Sequence, residues 1–70
     1  MCLIKVYMDG VAGRELVARE VAFIDKKGDM IKLKNLEFEN IATLEGVDIS
    51  LIDTLNSIMV IKPKDSGRSA

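Results

Sequence analysis

The amino-acid sequence predicts a small all-β domain. Three observations point there: short stretches in which apolar and polar residues alternate, turn signals rich in Gly, Asp and Asn between them, and a nearly unbroken apolar run, Ile58-Met59-Val60-Ile61, before the only proline. Alternation with a period of two marks half-buried strands, whereas a short continuous run suits a strand buried on both faces. Five or six such strands at roughly even spacing are the pattern of a small barrel or sandwich.

The first strand is expected from Cys2 to Met8. Cys2, Ile4, Val6 and Met8 fall on one face, and Leu3, Lys5 and Tyr7 on the other. Asp9-Gly10 and Gly13 supply the following turn. Between Glu15 and Asp25 a long, bent strand carries Leu16, Val17, Val21, Phe23 and Ile24, with a bulge near Ala18-Arg19-Glu20 where the alternation switches. A helix over residues 14–22 competes with it, because Leu16, Ala18, Val21 and Ala22 also make a helical stripe.

Lys26-Lys27-Gly28-Asp29 predicts a hairpin turn, and Met30–Leu36 a strand with Ile31, Leu33 and Asn35 opposite Met30, Lys32, Lys34 and Leu36. Lys32 and Lys34 read as a solvated strand face that also guards an edge. Glu37 to Asn40 turn the chain into a strand beginning at Ile41. Glu37 and Glu39 would share a face if extended, but on a short exposed segment they read as a solubilising edge rather than an acid–base pair. Gly46 permits a bend. Val47–Asp53 is the next strand, with Val47, Ile49 and Leu51 in phase, and Asp53 to Asn56 turns into a last strand over residues 57–62 that Pro63 ends.

Seventy residues make one domain, placed at residues 1–62, with 63–70 as a polar, turn-rich tail expected to be flexible. A chain this short buries only roughly 60% of the surface its unfolded form exposes, so one core is marginal. A single cysteine makes no intrachain disulfide, and with 49% of residues apolar, a partner chain is the expected source of extra burial. Homodimerisation is therefore expected. The net charge of −1 opposes a module that binds nucleic acid through bulk phosphate attraction. The longest apolar run is far shorter than the ~20 residues of a membrane span, and the amino end lacks a secretory pattern. With a lone free thiol, the expected location is cytoplasmic.

Cys2 is the only cysteine and histidine is absent, so its thiol is the chain's one strong soft-metal ligand or nucleophile. No hydrolase-type triad can be drawn, and the chain is not expected to be an enzyme. The terminal amine and first backbone amides lie within one or two residues of the sulfur, and a thiolate with such nitrogens forms five-membered chelates. N/S donor sets of that kind suit square-planar Ni(II) or Cu(II). One chain offers too few anchored donors, whereas two copies meeting near Cys2 complete the set. The plainer alternative is that Cys2 is an inert small apolar residue at a strand start.

Met1-Cys2 followed at once by an apolar strand, the chain length, and the late run Gly46-Val47-Asp48-Ile49-Ser50-Leu51-Ile52-Asp53 to Asn56-Ser57-Ile58-Met59-Val60 resemble the CooT family. These are small nickel-binding proteins associated with maturation of nickel-containing carbon monoxide dehydrogenase, a family also described as predicted RNA-binding. The resemblance spans residues 1–62. It implies an SH3-like small barrel forming a homodimer that binds one Ni(II), with Cys2 as the metal ligand and backbone nitrogens such as the Leu3 amide as co-ligands. The function expected from it is metallochaperone or nickel storage. Removal of Met1 would give Cys2 a free amine and a two-donor chelate of its own.

The alternative from another class is a small-barrel RNA-binding module. Such modules present aromatic stacking platforms and basic grooves, for which this chain offers only Tyr7, Phe23 and Phe38.

Overall fold

Among the described residues seven strands follow one another: β1 (Ile4–Gly10), β2 (Gly13–Val21), β3 (Phe23–Lys27), β4 (Met30–Lys34), β5 (Asn40–Glu45), β6 (Val47–Asp53) and β7 (Ile58–Pro63). The structure is a computed structural model and describes residues 3–64. The strands form a four-stranded sheet in the order β2-β1-β7-β6 and a three-stranded sheet in the order β3-β4-β5. The fold is all-β, as the alternation predicts.

The count is seven rather than the expected five or six, because the single long strand over 15–25 is two. β2 carries register shifts against β1 on both sides of the Val6–Ala18 pair, and Glu20 has φ 57°. Each shift inserts an extra residue, which bends the strand and increases its twist. The chain then leaves the larger sheet at Ala22, whose amide donates to the Lys34 carbonyl (2.8 Å) in the smaller one. The bulge is where the sequence places it, and the competing helix is absent from 14–22.

β4 keeps its phase. Ile31 and Leu33 are fully buried, and Met30, Lys32 and Lys34 lie on the other face at intermediate exposure. The strand ends at Lys34, two residues short of the expected Leu36, because Asn35 opens a loop. At the turn before β4, Gly28 takes φ 58°, a left-handed value open to glycine at no steric cost. Gly46 (φ 70°) makes the corner between β5 and β6, where its amide and that of Val47 donate to the Asp29 carbonyl (3.0 and 3.3 Å).

β6 departs from the expected phase. Val47 pairs with Pro63 and Ile49 with Ile61, but Leu51 pairs with Val60, so Ser50 is an extra residue. Beyond it the faces exchange, which turns Leu51 away from the core and brings Ile52 opposite Met59. β7 reaches Pro63, one residue past the expected strand end at Lys62, and the Lys64 amide donates to the Gly46 carbonyl (2.7 Å). The rest of the tail, residues 65–70, lies outside the described residues.

The inner faces of the two sheets close on one core. Val6, Ala18, Val21, Val47, Met59 and Ile61 come from the larger sheet, and Ile31 and Leu33 from the smaller. Each large aliphatic side chain fully removed from water contributes about 1.5–3 kcal/mol. Among the described residues no hydrogen-bonded ladder closes the sheets into a barrel.

Candidate metal centre

β1 lies inside the larger sheet, between β2 and β7, and its first pairings fix where the amino end arrives. Ile4 opposes Val21 on β2, and the Lys5 amide donates to the Ser57 carbonyl (3.1 Å). From there β1 and β7 run parallel, Lys5 beside Ile58 and Val6 beside Met59. The expected ligand Cys2 is two residues upstream of this anchored start and lies outside the described residues.

The turn beside that start is built by one side chain. Asp53 Oδ1 accepts from the amides of Leu55 and Asn56 (3.1 Å each), and its Oδ2 accepts from Asn56 Nδ2 (2.9 Å). The bond from the Asn56 side chain, helped by the Asn56 and Leu55 amides, holds the Asp53 carboxyl below the usual carboxylate range. The turn leads to Ser57 at φ 57°, and Ser57 presents the carbonyl that Lys5 uses. Asp53 is thus committed to shaping the β6–β7 connection.

The other residues weighed in the sequence fall into two places. Tyr7 lies on the outer face of the larger sheet, between Leu16 and Val60. Phe23 and Phe38 meet edge to face, with ring centroids 5.2 Å apart, and Lys34 Nζ stands 3.9 Å above the Phe38 ring. The loop that carries Phe38 is organised by Asn35, whose side-chain oxygen accepts from the amides of Glu37 (3.0 Å) and Glu39 (2.9 Å). Phe38 takes φ 67° in it and is 60% exposed. Glu37 and Glu39 are exposed in this loop rather than paired on a strand, and Glu39 Oε1 accepts from Asn35 Nδ2 (3.0 Å).

Sequence reasoning missed this aromatic and lysine cluster as a unit. The signal was Asn35, a residue type that bonds backbone amides two to four positions on and so folds a loop around itself.

Among the described residues no group of three or more histidine, cysteine or carboxylate side chains is arranged to hold a metal ion. Neither the protein-family models nor the curated proteins give a match to this chain.

Proposed function

We propose that this chain is a nickel-binding accessory protein, a metallochaperone or nickel store of the kind the CooT resemblance implies. It would work as a cytoplasmic homodimer holding one Ni(II) between the Cys2 thiolates of two chains. Its two packed sheets would then be a variant of the SH3-like small barrel, and maturation of a nickel enzyme such as carbon monoxide dehydrogenase its setting.

One observation carries the reading: the chain's sole cysteine is two residues ahead of an interior strand whose Lys5 amide is tied to the Ser57 carbonyl. Cys2 would supply the thiolate, and the neighbouring backbone nitrogens would complete a planar N/S set. Affinity would fall at low pH, because the thiol must deprotonate to bind.

The test is a Ni(II) titration of the reduced protein, followed by thiolate-to-nickel charge-transfer absorption. Saturation at one metal per two chains is expected, and loss of the band in Cys2→Ser with the fold retained. A Cys2→Ser protein that binds nickel as tightly as the parent removes the assignment.

A second reading has an observation of its own. Phe23, Phe38 and Lys34 make an exposed aromatic and cationic surface on the smaller sheet, the kind of contact on which single-stranded RNA stacks. An anisotropy titration against single-stranded RNA tests it: tight, salt-sensitive binding lost in Phe38→Ala favours this reading over nickel.

A further inference from the structure

The outer face of the larger sheet carries an apolar row that the core does not use. Leu16 on β2 opposes Tyr7 on β1, Tyr7 lies beside Val60 on β7, and Val60 opposes Leu51 on β6. Val60 is fully buried without belonging to the core cluster, while Leu16 and Leu51 are 46% and 47% exposed. A row spanning every strand of the sheet on its solvent side is a second buried layer left half-covered.

The neighbouring row identifies the occupant. One pleat further along the same face lie Arg14, Asp9, Lys62 and Asp48, on β2, β1, β7 and β6 in that order. Their charges alternate plus, minus, plus, minus. Arg14 Nε donates to Asp9 Oδ1 at 2.8 Å, the contact that chiefly raises the Arg14 pKa. If a second copy packs face to face about a twofold axis parallel to the strands, midway between β1 and β7, strand order reverses and rows stay in register. Arg14 then faces Asp48 of the other copy, Asp9 faces Lys62, Leu16 faces Leu51 and Tyr7 faces Val60. Every charge in the row meets its opposite, the self-complementarity that an isologous dimer requires. An axis perpendicular to the strands instead sets Asp48 over Asp53, like charge over like.

We infer that this face is the homodimer interface, and that a second copy of this chain covers it with the axis along the strands. The inference deepens the proposed function by naming the surface through which its two chains meet. An axis along the strands also keeps both β1 starts at the same end of the dimer. With strands about 4.8 Å apart, sheets ~10 Å apart and a crossing of about 30°, the two Ile4 backbones stand roughly 10–14 Å from each other.

The test uses the full chain with Cys2→Ser and a chelator present, so that its outcome is independent of nickel. Sedimentation equilibrium is expected to give a dimer. Leu51→Lys and Leu16→Lys are each expected to raise its dissociation constant at least about tenfold, while circular dichroism shows the fold retained. Ile41→Lys, on the smaller sheet, should leave the dimer intact. A monomeric parent, or a dimer broken by Ile41→Lys and not by Leu51→Lys, overturns the inference. The axis is read in the same background with a short bis-maleimide. The double variant Leu16→Cys, Leu51→Cys should cross-link between chains and Leu16→Cys alone should not; efficient cross-linking by the single variant overturns the arrangement. Nickel titration of the parent remains a separate readout, so the interface and the metal reading can fail independently.

Discussion

Tyr7 and Val60 are neighbours on the parallel strands β1 and β7, on the face turned away from the core, and Val60 is nonetheless fully buried. Tyr7 flanks it on one strand and Leu51 on the other. β7 is therefore buried on both faces, Met59 and Ile61 toward the core and Val60 away from it, which is why its sequence is a continuous apolar run.

Val60→Thr keeps the shape and adds a hydroxyl where water does not reach. A buried hydroxyl without a partner costs about 1–3 kcal/mol by mutational measures. Urea unfolding should register that loss in midpoint with little change in slope. A variant as stable as the parent would show that water reaches the site.

Ile61→Ala removes a fully buried side chain from the core of a chain whose margin is small. Large-to-small changes of this kind cost about 2–5 kcal/mol, a large share of a total near the low end of ~5–15 kcal/mol. Thermal unfolding should show a large drop in midpoint or outright loss of cooperative melting. An unchanged midpoint would contradict the assignment of Ile61 to the core.

Asp53 makes stability depend on acid pH. Its folded pKa lies below its unfolded one, through the Asn56 side-chain bond first, so its contribution is fully present above the ordinary carboxylate pKa. The contribution disappears as pH falls through the folded value. The melting temperature of the parent should exceed that of Asp53→Ala at neutral pH, and the gap should close below about pH 4, near the reference Asp pKa. A gap that persists in strong acid would mean that the carboxylate's charge is not what holds the turn.

Glu20 sits at φ 57°, where a side chain is strained and glycine is not. Glu20→Gly should be neutral or stabilising by up to about 1 kcal/mol, and Glu20→Val destabilising by about 1–2 kcal/mol, since a β-branched residue fits that conformation worst. Chemical denaturation of the pair checks the order. Valine more stable than glycine would mean the bulge is not strained.

Most of the fold is legible in the sequence because most strands keep their alternation. Ile31 and Leu33 are inward and Lys32 and Lys34 outward, as their spacing requires. Reading fails where one residue is inserted. Ser50 is an ordinary polar residue in a strand pattern, and nothing in its type says that the alternation resets there and sends Leu51 outward. The break at Ala22 is silent for the same reason: alanine neither turns nor stops a chain, and the crossing to the second sheet is fixed by a backbone bond to Lys34. For the candidate site, the sequence marks Cys2 as the sole cysteine and through its place in the CooT resemblance. The outer row of Leu16, Tyr7, Val60 and Leu51 depends on pairing register between strands distant in the chain, which periodicity within one strand does not contain.

The parallel pairing of β1 with β7 sets the timing of folding. Lys5 finds Ile58 more than fifty positions later in the chain, so the middle of the larger sheet assembles only after β7 has been synthesised. Closing a loop of that length before any contact rewards it slows folding relative to a run of hairpins. Until then β1 has a neighbour on one side only, so a nascent chain cannot complete this sheet.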